Sequence, residues 1–116
     1  MKNRVSQGRA AEEKAAKYLQ GLDYKILERN FTVRGGEIDI IAEKDNVICF
    51  IEVKYQSSKN QFAGPFEKIN SKKRKRIIHT AKEYVFRNQI KNHFLRFDAI
   101  AIIGDVISHI EDAFRT

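Results

Sequence analysis

The chain has 116 residues, of which 42% are hydrophobic and 32% charged, and its 22 Lys and Arg against 15 Asp and Glu give a net charge of +7. That is the size of one domain, residues 1–116, able to bury roughly 65% of its unfolded surface around a modest core. A single cysteine excludes an intrachain disulfide framework and suits a reducing cytoplasm, and the apolar runs Val47 to Ile51 and Ala99 to Ile103 are too short to span a bilayer.

The start, Met1 to Ser6, has no apolar stretch behind its basic residues, so no secretory signal is expected. Ala11, Ala15, Tyr18, Leu19 and Leu22 recur at helical spacing and predict a helix from about Ser6 to Gln20, with Gly21 just past its end. Tyr24 to Val33 reads as a strand and Arg34-Gly35-Gly36 as a turn. Glu37 to Lys44 and Val47 to Lys54 are strands rich in β-branched residues, joined by the two-residue turn Asp45-Asn46. The loop Gln56 to Gly64, followed by the sole proline, Pro65, breaks the pattern. Asn70 or Ser71 then caps a long helix reaching about Asn88, with Ile77, Ile78, Ala81, Tyr84 and Val85 on its apolar face. Phe94 to Ile103 is a further strand and Val106 to Ile110 a weaker one. The order αβββαβ(β) describes a mixed α/β fold.

The hairpin turn carries the chemistry. With Lys44 facing Val47, Asp39 lies opposite Glu52 and Glu37 opposite Lys54, all four on one side of the strand pair. Opposed side chains have Cβ atoms about 4.5–5.5 Å apart, so two carboxylates there repel. A divalent cation offsets this well, since Mg²⁺ is commonly held by one or two carboxylates plus waters and substrate phosphates. A shared proton, or an exposed cluster of Glu37 and Asp39 salt-bridged to Lys54, is the alternative. Glu12, at the edge of the first helix's apolar stripe, is a third candidate ligand; its alternative is a surface pair with Arg9.

These residues resemble a known pattern. The segments Gly8-Arg-Ala-Ala-Glu12, Gly36-Glu37-Ile38-Asp39, Phe50-Ile51-Glu52-Val53-Lys54, Arg96-Phe97-Asp98 and Asp112-Ala113-Phe114 are similar to those of the YraN-like family of small bacterial proteins. The resemblance covers nearly the whole chain. It implies a restriction-endonuclease-like αβββαβ core, a mixed central sheet flanked by helices, with a PD-(D/E)xK site like that of Holliday-junction resolvases. Carried onto this chain, it implies Mg²⁺ (or Mn²⁺) held by Glu12, Asp39 and Glu52, Lys54 acting on the scissile phosphate, and Glu37 as an accessory. The family's Arg two residues after the lysine is Gln56 here, and its Phe-Gly in the next loop is Phe62-Ala63-Gly64.

Lys68, Lys72, Lys73, Arg74, Lys75 and Arg76 gather at the start of the long helix. Positive charge there opposes the helix dipole by roughly 0.3–1 kcal/mol per residue, so contact with nucleic-acid phosphates, DNA in the first instance, is the expected use; a solvated face is the alternative. Phe62 and Phe66 are expected to be buried rather than stacked on bases. Arg96 and Asp98 are expected to form a structural pair, and Cys49 to be a core residue. The histidines lack metal-ligand spacing, and no nucleotide-cofactor fingerprint is present. The expected activity is that of a Mg²⁺-dependent endonuclease on DNA, the alternatives being an inactive nucleic-acid-binding module or a basic protein-interaction domain.

Overall fold

The computed structural model describes residues 4–56 and 70–115. The elements run α1 (Arg4–Gly21), β1 (Lys25–Val33), β2 (Gly36–Lys44), β3 (Val47–Gln56), α2 (Ser71–Arg87), β4 (Phe94–Ile103) and β5 (Val106–Phe114). The strands form a single sheet in sequence order, antiparallel except where β3 and β4 pair in parallel across the α2 crossover. The mixed α/β architecture read from the periodicities is the one observed.

Apolar side chains divide between two cores. Ala11, Ala15, Ala16 and Leu19 of α1 cover Ile40, Ala42, Cys49, Ile51, Ile100 and Ile102. On the other side Ile77, Ala81 and Tyr84 of α2 cover Ile41, Ile48, Phe50 and Phe97. The central strands are apolar on both faces because both are covered. Cys49 is fully buried, and burial with the nearby Asp98 charge pushes its thiol up to about 12, so it packs as a small apolar group.

Both helices stop through left-handed residues. Tyr24 N–H bonds Leu19 C=O and Asp23 N–H bonds Gln20 C=O, both at 3.0 Å, with Asp23 at φ 69°. This double closure gives the terminal role to Asp23, not to Gly21, which lies inside α1. Gln89, at φ 51°, does the same for α2, where Ile90 N–H reaches Val85 C=O. Asn70 caps the start of α2, its side chain accepting from Lys73 N–H at 2.9 Å. The β2–β3 turn has Asp45 and Asn46 both at positive φ, 52° and 66°, which is the turn whose twist matches a two-residue hairpin. The weak final strand extends to Phe114, because an irregular register opposite Asp98 restarts pairing at Phe97↔Phe114. Among the described residues no helix is long and apolar enough to cross a membrane.

Candidate metal and phosphate site

The β2–β3 register is the anticipated one from Lys44↔Val47 to Ile40↔Ile51, and there it ends. Asp39 is not a ladder partner of Glu52. Its carboxylate Oδ2 instead accepts the Val53 N–H at 2.8 Å, taking the place of a backbone acceptor. Ile38 and Ile40 also fall in opposite cores, so the strict alternation of β2 breaks around Asp39. The strands separate at this point, and the two carboxylates line the opening between them.

The pairing of charges is visible at Asp39. Burial raises its carboxyl from 3.8 to about 8, with further upward contributions from the Glu52 charge, a hydrogen bond to Glu52, and the Glu12 charge; the Val53 N–H opposes them. Burial and the neighbouring Glu52 charge therefore favour the protonated form of Asp39 in the absence of a cation. Glu12, half-buried on α1, acts on Asp39 through its charge. Among the described residues no three carboxylates are gathered closely enough to form a cation cage. The candidate ligands are the Asp39–Glu52 pair, with Glu12 acting on Asp39 through its charge.

Charged side chains around the pair differ from the sequence expectation. The Glu37–Lys54 and Asp39–Lys54 salt bridges are absent among the described residues, and Glu37 accepts from Thr32 Oγ1 at 3.0 Å. Glu13, not Glu12, makes an ion pair from α1, to Arg29 at 3.0 Å. Lys54 keeps its ammonium outside any ion pair with the described residues. The cation touching the pair is Lys73, whose Nζ lies 2.8 Å from Glu52 Oε2. A sequence signal for this exists. Tyr84, Ala81 and Ile77 form the buried stripe of α2, and one further turn toward its N-terminus lands on Lys73.

The start of α2 is held over the carboxylates by close contact with the β1–β2 turn. A Cβ built on Gly36 would lie 2.1 Å from Thr80 Oγ1 and 2.9 Å from the Arg76 carbonyl, so only glycine permits this approach. Thr80 is turned inward, its hydroxyl donating to Arg76 C=O at 2.7 Å. Gly35, at φ 95°, makes the turn itself. The result is a cleft of about 820 Å³ with Glu37, Asp39 and Glu52 on the strand side and Asn70, Lys72, Lys73 and Arg76 on the helix side. Arg74 and Lys75 are not in its lining, and Lys68, Phe62 and Phe66 lie outside the described residues. Gln56 ends β3, its carbonyl accepting from Gly104 N–H at 3.0 Å. The helix terminus brings partial positive charge as well as cationic side chains to the cleft.

This donor set fits a hard divalent cation of the Mg²⁺ type. Two adjacent carboxylates, with Asp39 shifted upward first by burial and then by the Glu52 charge, make an oxygen site suited to a doubly charged ion. Such ions usually keep water and substrate phosphate as their other ligands, so a closed protein cage is not required.

A second polar cluster lies against α1. Asp98 is buried, and its two oxygens accept from Arg96 Nε and Nη2, each at 2.9 Å, and from Asp112 N–H at 3.0 Å. His109 Nε2 lies 2.9 Å from Oδ2 and its Nδ1 is 3.2 Å from Tyr18 Oη, while Arg96 also donates to Tyr24 Oη at 2.7 Å. Burial pushes the Asp98 carboxyl up, but the bonds from His109, Arg96 and the Asp112 N–H outweigh it and hold it below the usual carboxylate range. The expected Arg96–Asp98 pair is thus the centre of a network tying α1 to β4 and β5. His109, Tyr18 and Tyr24 were not foreseen in it, because nothing in their spacing joins them.

Known proteins place the chain. Residues 11–102 match the model of the Uncharacterised protein family UPF0102. A UPF0102 protein of Sulfurihydrogenibium is 41% identical over 97% of this chain and 96% of its own length. Those of Persephonella marina and Clostridium perfringens are 45% and 42% identical, covering 92% and 90% of this chain and 91% and 89% of their own lengths. With alignment along nearly its full length at these identities, the chain belongs to the UPF0102, or YraN-like, family.

Proposed function

We propose that the protein binds nucleic acid, DNA in the first instance, and hydrolyses its phosphodiester bonds as a Mg²⁺- or Mn²⁺-dependent endonuclease. The observation that carries this reading is the placement of Asp39 and Glu52 side by side in a cleft whose other wall is the basic start of α2. The sequence resemblance to PD-(D/E)xK nucleases supplies the reaction class.

Asp39 and Glu52 would hold the cation, with Glu12 reinforcing the negative field behind them. When bound, the cation lowers the pKa of a coordinated water and polarises the phosphate. Lys72 and Arg76, exposed on the helix wall, bind backbone phosphates and orient the strand across the cleft. Lys54 has no ion-pair partner among the described residues and does not line the cleft, so acting on the negative charge that grows on the phosphate oxygens requires its flexible side chain to extend toward the pair. The Val53 N–H fixes the Asp39 carboxylate, so its orientation does not depend on substrate.

Two observations favour a second reading, a nucleic-acid-binding module that does not cut. The Lys73–Glu52 ion pair already offsets part of the charge that a cation would neutralise, and Gln56 replaces a cationic family residue. The two readings part on a panel of single-stranded, duplex, flap and four-way-junction DNA incubated with Mg²⁺ or Mn²⁺. The nuclease reading expects metal-dependent cleavage that disappears in both Asp39→Ala and Glu52→Ala. Binding without cleavage of any substrate would leave the module reading. Absence of binding even at low salt would remove both and leave a protein-interaction role for the basic surface.

A further inference from the structure

The position of Lys73 points beyond the metal site itself. Among the described residues of the basic segment it is the one bonded to the carboxylate pair, at 2.8 Å, yet its side chain remains 48% exposed while that of Glu52 is 16% exposed. Its backbone is anchored by the Asn70 cap, whereas its ammonium sits at the end of a flexible four-carbon stem. Lys72 and Arg76, which share the same cleft wall, form no ion pair with the described residues. Among the described residues the carboxylate pair and the basic wall are therefore joined by a single cation on a flexible stem.

We infer that Lys73 is a positioning residue that alternates between two anions: Glu52 when the cation site is empty, and a nucleic-acid phosphate when it is filled. The inference rests on the nuclease reading of the carboxylate pair and assigns it an internal control. A Lys⁺ on Glu52 and a divalent cation on the same oxygens repel each other, so the two compete. Filling the site frees the ammonium, which then lies on the wall that Lys72 and Arg76 already make positive. Metal and nucleic acid consequently strengthen each other's binding, and by linkage the coupling is the same in both directions. The Lys73–Glu52 contact also weakens cation binding at the empty site when no nucleic acid is present.

The test compares Mn²⁺ binding, by calorimetry or by loss of the free-ion paramagnetic resonance signal, in the wild type, Lys73→Gln, Lys73→Arg and Lys75→Gln. Lys75 is an exposed residue of the same helix that does not line the cleft, so its variant changes net charge equally without touching Glu52. Lys73→Gln is expected to bind Mn²⁺ roughly threefold to tenfold more tightly than Lys75→Gln, the range a half-exposed ion pair gives, and Lys73→Arg to stay near wild type. Equal affinity in the two glutamine variants, or weaker binding by Lys73→Gln, overturns the inference while leaving the metal site in place. No Mn²⁺ binding by any of the four removes the nuclease reading and this inference with it.

The second arm measures duplex oligonucleotide binding with and without Mn²⁺ in a Lys54→Met background, where cleavage is suppressed. Mn²⁺ is expected to raise the affinity of the Lys73 protein and to raise it several-fold less when Lys73→Gln is added. An equal rise in both overturns the transfer to phosphate. Melting curves of each variant confirm folding, which an exposed Lys→Gln change on α2 is expected to preserve.

Discussion

Replacing Asp39 with asparagine imitates the protonated carboxyl that burial and the Glu52 charge favour at this position. An asparagine oxygen can still accept from Val53 N–H, and its amide can donate to Glu52, so the geometry of the neutral pair survives while the repulsion does not. The free-energy consequence follows from linkage. Asp39 in the folded chain protonates near pH 8 against 3.8 for the free group, so the folded state binds the extra proton throughout that window. Stability from this group is full below about pH 4 and is lost as pH rises through about 8. At 1.36 kcal/mol per pH unit the window sets an upper bound of ~6 kcal/mol. The cleft is open to water, and Lys73 already offsets part of the Glu52 charge, so about 2–3 kcal/mol is the expected loss. Urea unfolding of wild type and Asp39→Asn at intervals from pH 4.5 to 9, without divalent cations, measures it. The variant should match wild type near pH 4.5 and exceed it by about 2–3 kcal/mol at pH 9. A variant less stable than wild type at pH 9 would refute the reasoning, because it would mean that the Asp39 carboxylate is a net stabilising acceptor.

Other consequences are equally direct. Mg²⁺ should raise the wild-type melting temperature at pH 8, where it offsets the repulsion at Asp39, and leave Asp39→Asn unchanged; a scanning-fluorimetry titration decides this. Gly36→Ala should cost ~1–3 kcal/mol by pushing α2 off the turn, and Thr80→Ala added to it should recover only part, since the Arg76 carbonyl still stands 2.9 Å from the new Cβ; denaturant midpoints of the single and double variants check both. Asp98→Ala should cost ~3 kcal/mol, because it leaves the half-buried Arg96 guanidinium with only Tyr24 and Glu111, and His109 and the Asp112 N–H without their acceptor. The depressed Asp98 carboxyl also predicts acid lability: its contribution is present above about pH 4 and is lost as pH falls below that, so acid unfolding should begin at higher pH in Asp98→Asn.

How much of this could be read from the chain varied with the physics involved. The order of elements, both helix lengths to within a few residues and the Asp45-Asn46 turn follow from local periodicity and turn chemistry, and the turn in turn fixed the register down to Ile40↔Ile51. Register could not carry the reading to Asp39 itself, because a side chain replaces a ladder bond there and the strand departs from simple alternation. The basic segment was visible as charge, but its members divide by helical angle: Lys73 continues the buried stripe and meets Glu52, while Lys75 faces away from the cleft. Contacts between distant elements stayed hidden. Tyr18 on α1 meets His109 on β5, and Gly36 meets Thr80, through the tertiary fold alone.

The central claim is that Asp39 and Glu52 together hold a divalent cation at a phosphodiester. It is tested most directly by anomalous X-ray scattering from crystals of the protein grown with Mn²⁺ and a short DNA duplex. A peak between the two carboxylates is expected, with a phosphate oxygen among its ligands and the Lys73 ammonium withdrawn from Glu52. A Mn²⁺ peak elsewhere on the molecule, or none while Lys73 remains on Glu52 with DNA bound, would contradict it.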